Sequence, residues 1–311
     1  MMKKLTILLL LLLSAQVLPQ DFKKTGTAGY TFLEIPVTAR DAALGESSIS
    51  LSDMNSSAIF SNPGALGFQQ QSHSLSLSYS PWFADIKHYA TSYAFSSAMG
   101  AFGFSAVALD YGSMPRTVRL SGQRVFEQTG FFSAKSMALG LTYAKQLTDK
   151  FSFGVTAKYV NEKIDVYSSS NVLMDGGFLY LTGLSSLRLG ASITNFGTNS
   201  KFKNSDFKMP AMFRIGAAAE LYQSDKNKVT LIAEAVHPTD ADERVNVGTE
   251  IKLMNILTLR AGYKFFYDEE KFSYGFGLAL PMDYPVDLDF SASDYGRLGN
   301  VIRLTFQLGM L

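Results

Sequence analysis

The sequence predicts an all-β chain, a transmembrane antiparallel β-barrel of about fourteen strands with an N-terminal plug segment. Three observations carry this reading. From about Ser72 onward apolar residues recur at every second position, the period of a strand whose two faces differ. The segments so marked run about ten residues, the length a tilted strand needs to cross a bilayer. Their connections alternate between long and short, as in barrels with tight periplasmic turns and longer outer loops.

Taken in order, residues 1–20 read as a secretory signal: Lys3 and Lys4, an apolar run over 5–13, then the small and polar exit Ser14-Ala15-Gln16. The run falls short of the roughly 20 residues a spanning helix needs. Residues 21–71 lack the two-residue period. They carry helix-like pieces around 39–44 and 53–60 and the turn Asn62-Pro63-Gly64, whose proline and glycine suit a tight change of direction. A barrel of fourteen strands is wider than its own side chains can fill. Phe32, Leu33, Ile35, Leu44, Ile49, Leu51, Ile59 and Phe60 make this segment too apolar for a free periplasmic tail, so it is assigned as the plug.

Residues 72–311 form the barrel. Alternation places strands over 73–81, 86–97, 100–111, 133–146, 150–164, 173–183, 186–196, 211–222, 228–237, 243–253, 257–267, 271–281, 285–295 and 301–310. The long connections are then 112–132, 165–172, 197–210 and 238–242, against tight ones at 147–149, 183–185, 254–256 and 282–284. Tyr79, Tyr89, Tyr143, Tyr159, Tyr263 and Phe265 fall where interfacial aromatic girdles belong.

A soluble sandwich would alternate too, so the face opposite the apolar one decides. There the second half places Arg214, Glu220, Glu234, Arg244, Glu250, Arg260, Asp287, Asp289 and Arg303. In a sandwich these would be ordinary surface residues; in a membrane barrel they line the lumen while the apolar side meets outer-membrane lipid. Their mixed signs favour a network that closes the lumen over a path selecting one charge. In-strand glycines such as Gly154, Gly190, Gly248 and Gly262 are expected at close approaches of plug to wall or at barrel bends.

The composition narrows the function. A net charge of +1, from 28 basic and 27 acidic residues, provides no field for nucleic acid. Zero cysteine excludes thiol nucleophiles, Cys-zinc sites and iron–sulfur clusters. The three histidines, His73, His88 and His237, are far apart, and no Gly-x-Ser-x-Gly elbow or phosphate loop occurs. No cofactor, metal or catalytic site is expected, and the chain is not read as an enzyme. The long connection 112–132, with Arg116, Arg119, Arg124, Phe126 and Phe131, is the candidate partner surface, because arginine and aromatic anchors dominate interfaces. Its alternative is a loop folded over its own barrel mouth.

Several runs resemble one family. Phe32-Leu33-Glu34-Ile35-Pro36-Val37-Thr38-Ala39-Arg40-Asp41-Ala42-Ala43-Leu44-Gly45 and Ala58-Ile59-Phe60-Ser61-Asn62-Pro63-Gly64-Ala65-Leu66 are similar to the opening of the PorV/PorQ family, with Gly64 where that family usually has alanine. Trp82-Phe83-Ala84-Asp85-Ile86, Asn195-Phe196-Gly197, the run from Leu257 to Lys264 and Asp294-Tyr295-Gly296-Arg297-Leu298-Gly299-Asn300 extend the likeness along the mature chain. The resemblance implies an outer-membrane barrel of the long-chain fatty acid transporter type, with a hatch carrying the Asn-Pro motif. It also implies a place in the type IX secretion system. There, PorV-like members receive cargo through its C-terminal signal domain and pass it to an attachment complex containing the PorU sortase and PorZ. The alternative implied by the same fold is a transporter of hydrophobic compounds. An apolar tunnel past Phe32, Ile35, Ile59 and Phe60 would mark that alternative.

Overall fold

The computed structural model describes residues 26–120, 126–280, 282 and 284–310; the secretory signal expected over 1–20 lies outside them. In chain order the first strands are β1 (His73–Pro81), β2 (Lys87–Ser97), β3 (Gly100–Arg119), β4 (Phe126–Thr148), β5 (Phe151–Ile164), β6 (Tyr167–Leu181) and β7 (Arg188–Phe196). A small excursion, β8 (Ser200–Phe202) with β9 (Ser205–Phe207), leads to β10 (Met212–Gln223), β11 (Lys228–Pro238) and β12 (Arg244–Leu253). The chain ends with β13 (Leu257–Phe265), β14 (Phe272–Leu280), β15 (Val286–Asp294) and β16 (Asn300–Met310). Fourteen of these strands close into one antiparallel barrel. Chain neighbours pair throughout, β7 joins β10 across the excursion, and β1 seals against β16 with His73 opposite Met310 and Tyr79 opposite Leu304. No helix among the described residues is long and apolar enough to cross a membrane.

Which side of each strand is buried settles the choice between sandwich and membrane barrel. Along β1 the serines Ser74, Ser76, Ser78 and Ser80 are buried while Leu77 and Tyr79 face out. Within β16, Arg303 is 0% exposed and its neighbour Leu304 51%. Polar residues therefore point into the bore and apolar ones outward, the inverse of a water-soluble sheet. Aromatic residues gather at both ends of this wall. Tyr79 packs beside Tyr89 (5.2 Å) and Tyr263 meets Phe265 edge-on (4.6 Å) at one end, and Phe102 meets Tyr143 (5.3 Å) at the other.

Two of the long connections read from the sequence are not loops. The span 112–132 continues β3 and β4 as a hairpin, paired out to Arg119 opposite Phe126, with irregularities after Asp110 and Arg116. The span 165–172 shortens to a turn, because β6 begins at Tyr167. Past the rim no lipid rewards an apolar face, so alternation fades while backbone pairing goes on.

Residues 30–72 run down the bore. At the loop end Gly29 N donates to Lys208 O (3.0 Å), and at the turn end Ser96 N donates to Ser72 O (2.9 Å). This segment folds as short pieces, a 3₁₀ turn Thr31–Glu34, α1 (Ala39–Ala43) and 3₁₀ turns Asn55–Phe60 and Pro63–Phe68. Thr38 caps α1 by accepting from Asp41 N at 3.3 Å. Leu44, Leu51, Met54, Ala58, Ile59 and Leu66 build an apolar core against small wall residues such as Ala94, Ala101 and Ala144. A second core joins Tyr30 and Phe32 to Leu109, Val160 and Leu173 nearer the loop end.

Candidate functional site

The Asn62-Pro63-Gly64 turn is a tight seat of the plug. Asn62 Oδ1 accepts from Gly64 N at 2.9 Å, while its Nδ2 donates to Ile49 O (2.7 Å) and Phe178 O (2.9 Å). One side chain thus holds the turn, a second plug strand of chain and the wall. Glycines on β5 and β6 make room: a Cβ at Gly154 would lie 2.3 Å from Pro63 O, and one at Gly177 2.2 Å from Asn62 Oδ1. Gly64 itself abuts the wall, since a Cβ there would meet Gly177 O at 2.6 Å. Glycine at this position therefore matches how closely turn and wall approach. Elsewhere Gly190, Gly248, Gly262 and Gly275 also face the plug, but a Cβ on Gly140 would meet the wall residue Ser105.

On the opposite wall the lumen charges meet the plug. Glu250 accepts from Arg40 Nε (2.9 Å) and Nη2 (3.0 Å) and from Arg260 Nε (2.7 Å), and Arg260 Nη1 reaches Asp289 at 2.5 Å. Arg40 Nη2 also donates to Asp53 Oδ1 at 2.8 Å. Lys264 donates to both Glu46 of the plug and Glu270 of the β13–β14 loop. Burial would raise the Glu46 carboxyl, but the Lys264 ammonium holds it below its ordinary pKa. Arg303 donates to Pro36 O (3.0 Å) and lies over the Trp82 ring, 5.2 Å from its centroid.

The remaining members of the sequence-derived set divide. Arg214 and Glu234 face each other at 3.8 Å, beyond hydrogen-bond length. Glu220 pairs with Arg188 (2.7 Å) near the turn end, and Arg244 lies over the Tyr267 ring at the loop end. Asp287 lines a charged cavity of about 170 Å³ with Arg40, Glu250 and Arg260. The structure thus brings Glu250, Arg260, Asp287 and Asp289 together and sets Glu220, Arg244 and Arg303 apart. Sequence reasoning missed Arg40, Glu46 and Asp53, because their wall partners lie some 200 residues away and no spacing announces them. A charged pair inside an otherwise apolar and small-residue run, Arg40-Asp41, was the available signal. Lys158, bound to Asp175 (2.9 Å) and Asn195 (2.5 Å), forms a further buried group nearer the loop end.

The hairpin β3–β4 carries the candidate partner residues. Lys87 of β2 pairs opposite Asp110 of β3, so residues 111–119 rise past that rim by about 30 Å of strand. Arg116 donates to Asp165 at 2.6 Å and stacks over Phe132, so it braces the hairpin more than it faces out. Phe126 is 69% and Phe131 66% exposed, and Val118 and Val166 lie bare nearby. Arg119 is exposed at the last described pair of the hairpin, and Arg124 lies outside the described residues. Beside Phe32, Ile35, Ile59 and Phe60 the structure leaves a space of about 40 Å³, bordered by Lys158 and Asp175. Cavities that take up benzene are nearer 150 Å³.

This geometry defines a plugged fourteen-stranded outer-membrane barrel. A family model described as type IX secretion system protein PorV matches residues 18–239, and the chain belongs to that family. Among solved structures it is similar to the toluene transporter TbuX of Ralstonia pickettii, at 15% identity and a TM-score of 0.59 over 88% of this chain and 98% of that one. It is likewise similar to the toluene transporter TodX of Pseudomonas putida (16%, TM-score 0.58, 87% and 96%) and a Pseudomonas aeruginosa FadL homologue (12%, TM-score 0.58, 89% and 99%). At such identities the likeness shows the fold alone. No curated protein matches the sequence. Family and fold are those of secretion and transport barrels, not of enzymes.

Proposed function

We propose that this barrel is an accessory of type IX secretion that binds proteins at the cell surface and does no chemistry of its own. Its partners would be cargo C-terminal domains and PorU/PorZ-like attachment proteins. The observation that carries the proposal is the exposed apolar tip of β3–β4 on a family member whose lumen is filled by its own chain. Phe126 and Phe131 are exposed on the part of the hairpin that rises past the β2–β3 rim, where exposed apolar area mostly marks a binding surface. The lumen pairs then serve to keep the plug seated, so that the barrel presents a platform without an open pore. Residues 21–71 are assigned to this plug and 72–311 to the barrel.

Tagged protein purified from its own outer membrane in mild detergent tests this. Sortase-like proteins, or exported proteins sharing a C-terminal domain, should copurify in stoichiometric amount and be lost from a Phe126→Ala, Phe131→Ala variant. Recovery of fatty acids or other hydrophobic compounds with no stoichiometric protein would favour the transporter reading, which the shared fold of TbuX and TodX supports.

A further inference from the structure

The lipid-facing wall is not evenly convex. Across the β1–β16 seam it bears a groove enclosing about 810 Å³, within the roughly 300–1,000 Å³ of small-molecule pockets. Its cause lies in side-chain size. Thr91 sits opposite Ala106 and Tyr89 opposite Ala108, so β3 contributes only methyl groups to the floor. Around that floor stand Tyr79, Phe290 and Phe306, all lining the groove. On the inner side the wall meets the plug. Ser78 and Thr305 join hydroxyls at 2.8 Å, and Ala39 N of the plug donates to the same Thr305 Oγ1 at 2.8 Å, so β1 and β16 are tied to the plug behind the groove.

We propose that this groove seats the acyl chain of a membrane lipid. Leu77, opposite Phe306, is the middle residue of nine-residue β1, so the groove opens at the depth of hydrocarbon and not of headgroups. Its outward lining is apolar apart from the Thr91 hydroxyl and the phenol groups of Tyr79 and Tyr89, which mark its loop-end rim. A closed barrel has no free edge to which a partner's strand could add, whereas a flexible chain conforms to a shaped floor. Because lipid tails are as apolar as the wall, the seat works through van der Waals contact, and a filled floor should abolish it.

The test is reconstitution of the full barrel in phosphatidylcholine vesicles containing a phosphatidylcholine with a diazirine near one acyl terminus, followed by irradiation and peptide mapping. Label is expected several-fold denser on peptides of β1–β3 and β14–β16 than on those of β4–β7. An Ala106→Phe, Ala108→Phe variant should lower it to the level of the other wall, while Ala157→Phe on the lipid face of β5 leaves it unchanged. Even labelling around the wild-type barrel would overturn the proposal whether or not the variants fold. So would labelling that persists when a correctly folded variant, verified by heat-modifiable gel migration, fills the floor.

Discussion

Toward β5 and β6 the plug meets its wall by close backbone approach without charge pairs; toward β12, β13 and β15 close approach at Gly248 and Gly262 is joined by charge pairs. On the first side Gly154 and Gly177 bring the turn at Asn62 so close that not even a methyl group fits between. The second side links Arg40, Glu250, Arg260 and Asp289 in one chain of ion pairs, yet beside it on β10 and β11 Arg214 Nε, Glu234 Oε1 and Thr230 Oγ1 lack a hydrogen-bond partner. Glycine contact fixes position by excluded volume and has no alternative arrangement. Charge contact fixes it by pairing, and unpaired polar atoms along it reduce what a shift would lose. One face is therefore a fixed seat alone, and the other a seat with a set of latches added.

The strongest way to break this comparison is to remove the carboxylate at the centre of the latches. Glu250→Ala leaves the Arg40 and Arg260 guanidiniums facing each other in a buried space and should cost about 3–5 kcal/mol. The midpoint of urea unfolding, followed by gel migration, reads it, and a Glu250→Gln variant should lose less. A wild-type midpoint for Glu250→Ala would show that the latches contribute nothing. On the seat, Gly154→Ala drives a methyl group into Pro63 O and is expected to cost about 1–3 kcal/mol, as overpacking does. Gly64→Ala should do the same from the plug side, and the two together should be less than additive, since either one already lifts the turn. Full additivity would mean that the two methyl groups do not share one contact.

Asn62→Ala sharpens the same face. It strips the donor from Ile49 O and Phe178 O and the acceptor from Gly64 N, at about 1–3 kcal/mol. Hydrogen exchange should then rise first at Gly64 and Ile49. If exchange rose only along β10–β13, the turn would not be what seats the plug.

Much of this was legible in the residues, and the failures share a cause. The strand period is local: Leu75, Leu77 and Tyr79 announce β1 whatever lies beside them, and bilayer contact enforces the pattern along each crossing segment. Beyond the rim that enforcement ends, so Pro115 and the serines at 168–170 read as loop although β3 and β6 run through them. The turn Asn62-Pro63-Gly64 was recognisable because its geometry is intrinsic to proline and glycine. Its partners Gly154 and Gly177 were not assignable as such, because a strand glycine does not say whether a plug, a bend or a neighbour requires it. Likewise Arg260 and Asp289 stood out as inward charges, whereas Arg40 and Glu46 joined them only through the path of the plug down the bore.

The smallest expected effect lies at the loop end of the plug and concerns pH. Burial, and then the nearby Asp240 carboxylate, push Glu34 up from 4.5 to about 7. An acid whose folded pKa is raised binds its proton more tightly when folded, so its penalty is absent below about 4.5, grows as pH rises and is complete above about 7. The 3₁₀ turn Thr31–Glu34 should accordingly open more often at pH 8 than at pH 5.5. Hydrogen exchange of residues 30–36, corrected for the intrinsic pH dependence of exchange, measures this opening. Glu34→Gln, which cannot ionise, should abolish the difference and leave exchange around Asn62 unchanged at either pH. A pH response that survived the substitution would move its origin to Asp41, whose pKa burial also raises, and so from the loop-end rim into the latches themselves.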